Sequence, residues 1–152
     1  MIKSVLFVCL GNICRSPTAE AVFQSQTRDL DFRHDSAGTS GWHIGDPPYG
    51  PMIAAAGVRG VRMDHLRARE FTPEDFGRFG LILGMDDKNL TAIEALRPDN
   101  STAQTGLLLD YAPQTGVRAV PDPYYTRDFE GALDLVEAGV AGLIDHLKAQ
   151  AS

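Results

Sequence analysis

Cys9 and Arg15 are the residues whose types and spacing can do chemistry: five residues separate them, and Ser16-Pro17 follows at once. A cysteine thiolate is a strong nucleophile, and an arginine presents a planar fork of donors that never loses its charge, suited to bidentate binding of an oxyanion. The run Val5-Leu6-Phe7-Val8, of strand type, ends on Cys9, and Gly11 is expected to take the unusual backbone angles of a tight loop. Ser16 then reads as an N-cap and Pro17 as the first helical residue. A loop pinned between a strand end and a helix N-terminus can turn successive N–H groups inward around a phosphate-sized anion, with the helix dipole behind them. The same positive field favours the thiolate of Cys9, facing the phosphorus of whatever the loop holds.

The elements that must position this loop follow from the periodicity of the chain. A helix is predicted over Pro17–Arg28, with Ala19, Val22 and Phe23 on its apolar face. A short strand over Phe32–Ser36 leads into the loop Ala37-Gly38-Thr39-Ser40-Gly41, followed by Trp42, the only tryptophan. A helix over Met52–Ala56 is expected to stop at Gly57 in the left-handed conformation, and Gly60–Glu70 reads as connection, in which His65 more simply bonds a loop than carries a proton. Thr72-Pro73-Glu74-Asp75 has the pattern of a capping box, and Phe79–Leu83 that of a buried strand. Met85-Asp86-Asp87-Lys88-Asn89-Leu90 opens a helix whose face carries Leu90, Ile93 and Leu96; a strand is predicted over Thr105–Leu109. Asp110–Arg127 has three prolines and no period, the kind of long loop that usually has a function. The last helix shows one stripe: Phe129, Ala132, Leu133, Val136, Val140, Leu143, Ile144 and Leu147. Strands alternating with helices predict a parallel α/β sheet with the Cys9 loop at the carboxyl end of its first strand.

Composition narrows the class. A chain of 152 residues with 43% hydrophobic and 22% charged content is expected to form a single domain spanning 1–152. The net charge of −6, with no run of lysines or arginines, gives no nucleic-acid or membrane patch, so positive charge must be local to the loop. The apolar run Val5–Leu10 is too short for a signal-peptide core or a membrane span. Both cysteines, Cys9 and Cys14, lie in the loop, which fits a reducing, cytoplasmic setting. Neither their spacing nor His34, His43, His65 and His146 suggests a zinc set, and no metal or other cofactor is expected.

The stretch Val8-Cys9-Leu10-Gly11-Asn12-Ile13-Cys14-Arg15-Ser16-Pro17 resembles the phosphate-binding loop of low-molecular-weight protein tyrosine phosphatases. The likeness extends through Asp35-Ser36-Ala37-Gly38-Thr39-Ser40-Gly41-Trp42, Met85-Asp86-Asp87-Lys88-Asn89-Leu90 and Asp122-Pro123-Tyr124-Tyr125, in the family's order. The resemblance implies a doubly wound, four-stranded parallel sheet with helices on both faces. It also implies hydrolysis of phosphotyrosine in two steps: Cys9 attacks phosphorus while Asp122 protonates the leaving phenol, and water then cleaves the phosphocysteine with Asp122 as base. Arg15 and the loop residues Leu10, Gly11, Asn12, Ile13, Cys14 and Ser16 would bind the phosphate, Ser16 also bonding to Cys9. Trp42 and Tyr124 would wall a slot deep enough to select an aromatic phosphoester, with Ser36 and Tyr125 in support. It gives Cys14 a redox role, trapping an oxidised Cys9 as a disulfide. It implies phosphotyrosine-containing proteins as partners, a tyrosine kinase among them, and leaves the oligomeric state open.

Three other readings share parts of this pattern. Arsenate reductases of similar fold resolve through two further cysteines, which this chain lacks. Protein arginine phosphatases tend to carry threonine where this loop has Ile13, an apolar contact better suited to a phenyl ring than to a guanidinium. A non-catalytic phosphoprotein binder would leave the chemistry of Cys9 and Asp122 dispensable.

Overall fold

A computed structural model describes residues 1–150. Four parallel strands, β1 (Ser4–Cys9), β2 (Arg33–Gly38), β3 (Leu81–Gly84) and β4 (Gln104–Leu107), stand in the order β2-β1-β3-β4. Six helices accompany them: α1 (Arg15–Gln26), α2 (Gly50–Val58), α3 (Asp75–Arg78), α4 (Asp87–Ala95), α5 (Pro123–Thr126) and α6 (Phe129–Ala149). β1 lies between two neighbours and is buried along its whole length, as its unbroken apolar sequence requires.

The pleat sends alternate β1 side chains to opposite faces. Val5, Phe7 and Cys9 join Val22 and Phe23 of α1 and the stripe of α6, with the Phe7 and Phe23 rings 5.6 Å apart. Leu6 and Val8 meet Ile82, Phe71, Phe76 and Ile93 of α4 on the other side. A third cluster gathers Ile13 and Cys14 of the loop with Met52, Ala56, Met63 and Leu133, seating the loop on α2 and α6. The α6 stripe is buried as its period predicts, apart from Phe129, which is half-buried.

Several boundaries differ from expectation, each for a local reason. α1 begins at Arg15, with Cys14 rather than Ser16 at its N-cap and its first bond from Thr18 N to Cys14 O at 3.2 Å. Pro17 is tolerated because the N–H groups of a first helical turn lack partners anyway. The helix ends at Gln26, where the Thr27 hydroxyl donates back to Phe23 O. β2 runs on to Gly38, paired with Cys9, two residues past the expected end. α2 extends through Gly57 to Val58, and the left-handed glycine is Gly60, with φ 79°. β4 stops at Leu107 because Leu108 and Leu109 turn into a single 3₁₀ turn and pack on α6. Leu108 fits a notch at Gly139, where any Cβ would lie 2.7 Å from its Cγ. α4 buries Ile93 while Leu96 is exposed, so only part of its expected face is used. Thr72 does not cap α3; instead its backbone N donates to the wholly buried carboxylate of Asp75.

Candidate active site

At the carboxyl end of β1 the chain turns through residues 10–14 and enters α1, so the loop has a strand at one end and a helix N-terminus at the other. The left-handed residue of this turn is Asn12, with φ 58°, and not Gly11 as the sequence suggested. Asparagine is among the few residues that tolerate this region, and here its amide bonds fix the conformation. Asn12 Nδ2 donates to Ser16 Oγ at 2.8 Å, and Asn12 Oδ1 accepts from Arg69 N at 3.0 Å. Gly38 is required on the neighbouring strand because a Cβ there would stand 2.8 Å from Leu10 O. Leu10 O in turn accepts from the backbone N and the hydroxyl of Ser40, which ties the loop to the segment after β2.

Cys9 Sγ lies 3.0 Å from Ser16 Oγ and accepts from the backbone N of Asn12 at 3.3 Å. Ser16 Oγ also has Ala37 O within reach at 3.3 Å, and with one proton it can donate to the sulfur or to the carbonyl. Asn12 donates to the same oxygen and so holds the hydroxyl within 3.0 Å of Cys9 Sγ. Ser16 is thus a partner of the sulfur and not the helix cap its sequence position suggested.

Arg15 is 4% exposed and lines the pocket beside Cys9. Nη1 donates to Asp86 Oδ2 at 2.7 Å and to Val120 O at 3.0 Å; Nη2 donates to Asp122 Oδ2 at 3.4 Å. Burial works against the charge on Arg15, but Cys9, the bond to Asp86 and the negative charge of Asp122 outweigh it and hold the pKa above the ordinary arginine value. Asp86 was legible in the sequence as the start of α4, whose N-cap it forms with Oδ1 accepting from Asn89 N, but not as the anchor of Arg15. Asp122 caps α5 in the same way, Oδ1 accepting from Tyr124 N, and so offers one oxygen to its helix and the other to the pocket.

The cavity has a volume of about 40 Å³ and opens to solvent. Cys9, Leu10, Gly11, Ile13, Cys14 and Arg15 make its floor, and Trp42, His43, Asp122, Tyr124 and Tyr125 its walls. Trp42 and Tyr125 are 75% and 69% exposed, an unusual amount of aromatic surface to leave in water beside a cavity. The rings of Tyr124 and Tyr125 meet edge to face, 5.3 Å apart. Asn12 and Ser16 do not line the cavity but hold its floor from behind. Ser36 is not brought to the loop: its hydroxyl donates to Glu20 Oε1 at 2.9 Å, in a buried cluster with His34 below the site. The backbone carbonyl of the next residue, Ala37, is what reaches Ser16.

Cys14 is buried beneath the loop and free. Burial, and after it the negative charges of Asp122 and Cys9, push its thiol up to about 12. Among the described residues no group of three or more histidine, cysteine or carboxylate side chains is placed to hold a metal ion, and no helix is long and apolar enough to cross a membrane.

Sequence reasoning missed His43, whose ring sits against Gly11 and whose Nδ1 is 3.2 Å from Asp46 Oδ2. It also missed Tyr49, which donates its backbone N to Ile13 O and stacks on Tyr124 at 5.1 Å. The signal for Tyr49 was its place before Pro51 at a helix start, yet nothing local indicated that the helix would lie beside the loop.

The family profile described as low molecular weight phosphotyrosine protein phosphatase matches residues 4–152. YfkJ of Bacillus subtilis, a low molecular weight protein-tyrosine-phosphatase, is 39% identical over 145 residues, which is 93% of each chain. The crystal structure of YfkJ matches with a TM-score of 0.93 over 100% of this chain and 98% of that one. The human low molecular weight phosphotyrosine protein phosphatase is 46% identical over 132 residues, 83% of this chain and 82% of its own. A drosophila arginine phosphatase structure matches with a TM-score of 0.88 at 30% identity over 97% of this chain and 98% of that one. With a profile that spans nearly its whole length, and with relatives this similar over most of theirs, the chain belongs to the low molecular weight phosphotyrosine protein phosphatase family.

Proposed function

We propose that this protein hydrolyses phosphotyrosine in proteins through a phosphocysteine on Cys9. The observation that carries the reading is the placing of Cys9 and Arg15 together in the lining of one pocket, with Asp122 bonded to the same guanidinium. A phosphoryl group resting on the loop amides and Arg15 puts phosphorus against the sulfur, with its ester oxygen toward Asp122. Cys9 attacks in line, the S–P bond forms as the P–O bond breaks, and the phenolic oxygen takes its proton from Asp122. Asp122 then accepts a proton from water, which attacks phosphorus and releases inorganic phosphate and the Cys9 thiolate. Arg15 stabilises the spread charge of both transition states, and Ser16 stabilises the thiolate as it leaves.

A bound phosphoryl dianion draws the Arg15 guanidinium to itself and releases the Asp122 oxygen that Arg15 otherwise holds, so that this oxygen can face the leaving group. The walls of Trp42 and Tyr124 and the apolar contact of Ile13 favour an aryl ester over the shorter phosphoserine. The drosophila arginine phosphatase match makes phosphoarginine the natural comparison substrate. Phosphotyrosine-containing proteins, a tyrosine kinase among them, are the partners, the cytoplasm is the setting, and peroxide acting on Cys9 with Cys14 in reserve is the means of control. The test is turnover of para-nitrophenyl phosphate, then of matched peptides carrying phosphotyrosine, phosphoserine or phosphoarginine. Preference for phosphotyrosine supports the reading; preference for phosphoarginine, or binding without turnover, overturns it.

A further inference from the structure

The left-handed Asn12 is the hinge of the loop, and its acceptor is satisfied from outside, by the backbone N of Arg69. Residues 68–71 form a strap across the carboxyl end of β2: Gly38 N donates to Arg69 O at 2.8 Å, and Phe71 N donates to Gly38 O at 2.7 Å. The strap also holds the rim of the pocket, with Gly45 N donating to Ala68 O and Ala68 N to Asp46 O. One short segment therefore touches both the floor and the wall of the site.

The strap is fixed through the Arg69 side chain. Nη1 and Nη2 donate to the two oxygens of Asp75 at 3.1 and 3.0 Å, and Nε donates to Asp35 Oδ2 at 2.9 Å. Asp75 is wholly buried and has a further bond from Thr72 N, so this end of the bracket is rigid. Asp35 belongs to β2, which is paired along its length with β1. The bracket thus ties the strap to the sheet on one side and to the start of α3 on the other.

We infer that Arg69, clamped between Asp35 and Asp75, is a positioning residue for the reaction proposed above, acting on Cys9 through Asn12 and Ser16. The route is a chain of short bonds: Arg69 N to Asn12 Oδ1, Asn12 Nδ2 to Ser16 Oγ, Ser16 Oγ to Cys9 Sγ. If the strap shifts, Asn12 loses the partner that aims its amide, and the Ser16 hydroxyl is no longer held against the sulfur. Arg15 keeps its own anchors in Asp86 and Val120, so turnover should suffer more than binding.

The test is a mutant cycle between Arg69→Lys and Asn12→Ala, read as kcat and KM for para-nitrophenyl phosphate. Lysine keeps a charge for buried Asp75 but cannot bond Asp75 twice and Asp35 as well. Arg69→Lys should lower kcat by about ten- to a hundredfold, the scale of a misplacement of up to an ångström, with KM changed by less than about threefold. If Arg69 acts through Asn12, the double variant is no slower than Asn12→Ala alone. Asp35→Asn, which leaves Asp75 paired, should show a smaller fall in kcat that likewise vanishes in the Asn12→Ala background, and it serves if the lysine variant does not fold. Fold-changes that multiply in the double variants, or an unchanged kcat in both single bracket variants, would overturn the inference. The rate of Cys9 alkylation by iodoacetate, which needs no phosphatase activity, should follow the same cycle. Absence of turnover in the wild-type protein would therefore count against the proposed reaction and not against the bracket.

Discussion

The two halves of the site are built differently. The stretch from Cys9 to Ser16 is local and dense: Cys9, Asn12 and Ser16 are 3%, 2% and 0% exposed and bonded to one another within eight residues of chain. The segment that brings Asp122 comes from more than a hundred residues away and is held more lightly. Val120 is its anchor, buried, with its N donating to Met85 O and its carbonyl accepting from Arg15. Beyond Val120 the chain is held at the pocket by a 3.4 Å bond that Arg15 donates to Asp122, by the packing of Tyr124 on Tyr49 and by the bond from Arg127 to the Tyr49 hydroxyl, with Tyr125 largely in water. The half around Cys9 is preorganised, as stabilising a developing charge demands; the half with Asp122, the proton donor of the proposed mechanism, meets Arg15 through a longer bond. Arg15 belongs to both.

The sharpest way to break this contrast is to remove the nucleophile. Cys9→Ser should abolish turnover while keeping oxyanion binding, because the amides and Arg15 remain and a serine hydroxyl is not ionised near neutral pH. Activity within tenfold of wild type, measured with para-nitrophenyl phosphate, would contradict it. Next in size, Asp122→Asn should slow cleavage of poor leaving groups by about 10²–10⁴, the usual weight of general acid catalysis, and much less for phenols that depart unprotonated. Equal slowing across a series of substituted phenyl phosphates would make Asp122 structural. Arg15→Lys should cost about 10²–10³ in kcat, since a point charge cannot reproduce a two-pronged contact to the transition state. A near-normal rate would remove Arg15 from that role.

A smaller effect tests the shared arginine. Removing the negative charge of Asp122 frees Arg15 for an anion, so Asp122→Asn should bind inorganic phosphate several-fold tighter by competitive inhibition; weaker binding would mean that Asp122 does not compete for the guanidinium. The smallest effect on basal rate is expected at Cys14. With its thiol pushed up to about 12, Cys14 holds its proton at neutral pH, and in a Cys9→Ser protein, where burial and Asp122 still raise it, its alkylation should be slow at pH 7 and should climb as the pH rises. Fast alkylation near pH 7 would contradict the burial argument. Oxidation of Cys9 to a sulfenic acid removes one of the charges that raise Cys14 and so makes it a better partner. Peroxide inactivation should accordingly be reversed by dithiothreitol in the wild type and become largely irreversible in Cys14→Ser. Equal recovery of the two proteins would leave Cys14 as packing alone.

The same contrast explains what was legible in the sequence. The order of strands and helices, the α6 stripe and the Cys9–Arg15 spacing are local patterns, and each appears in the structure near its expected place. The errors are also local in cause. Ser16-Pro17 looks like a cap and first residue, but the helix starts at Arg15 because the Ser16 hydroxyl is taken up by Cys9 and Asn12. Gly11 looks like the strained residue, but the strain sits on Asn12, whose amide has two partners to hold it there. What no local pattern conveys is which distant residues arrive at the loop. Asp86 reads as part of a helix start and Arg69 as part of a connection, and their bonds to Arg15 and Asn12 exist only once β3 and the 68–71 strap lie against β1 and β2. Ser36 was expected near the loop on motif alone, whereas the pleat points its hydroxyl toward Glu20.

The most direct test of the central claim is to trap the intermediate. Asp122→Asn, mixed rapidly with a phenyl phosphate whose leaving group needs no proton and quenched in acid, should carry phosphate on the peptide containing Cys9, because loss of the base slows hydrolysis of the phosphocysteine more than its formation. Mass spectrometry should place the phosphoryl group on the Cys9 sulfur in an amount matching the burst of phenol. A protein that releases phenol with no phosphate on Cys9, or with phosphate on another residue, would contradict the account.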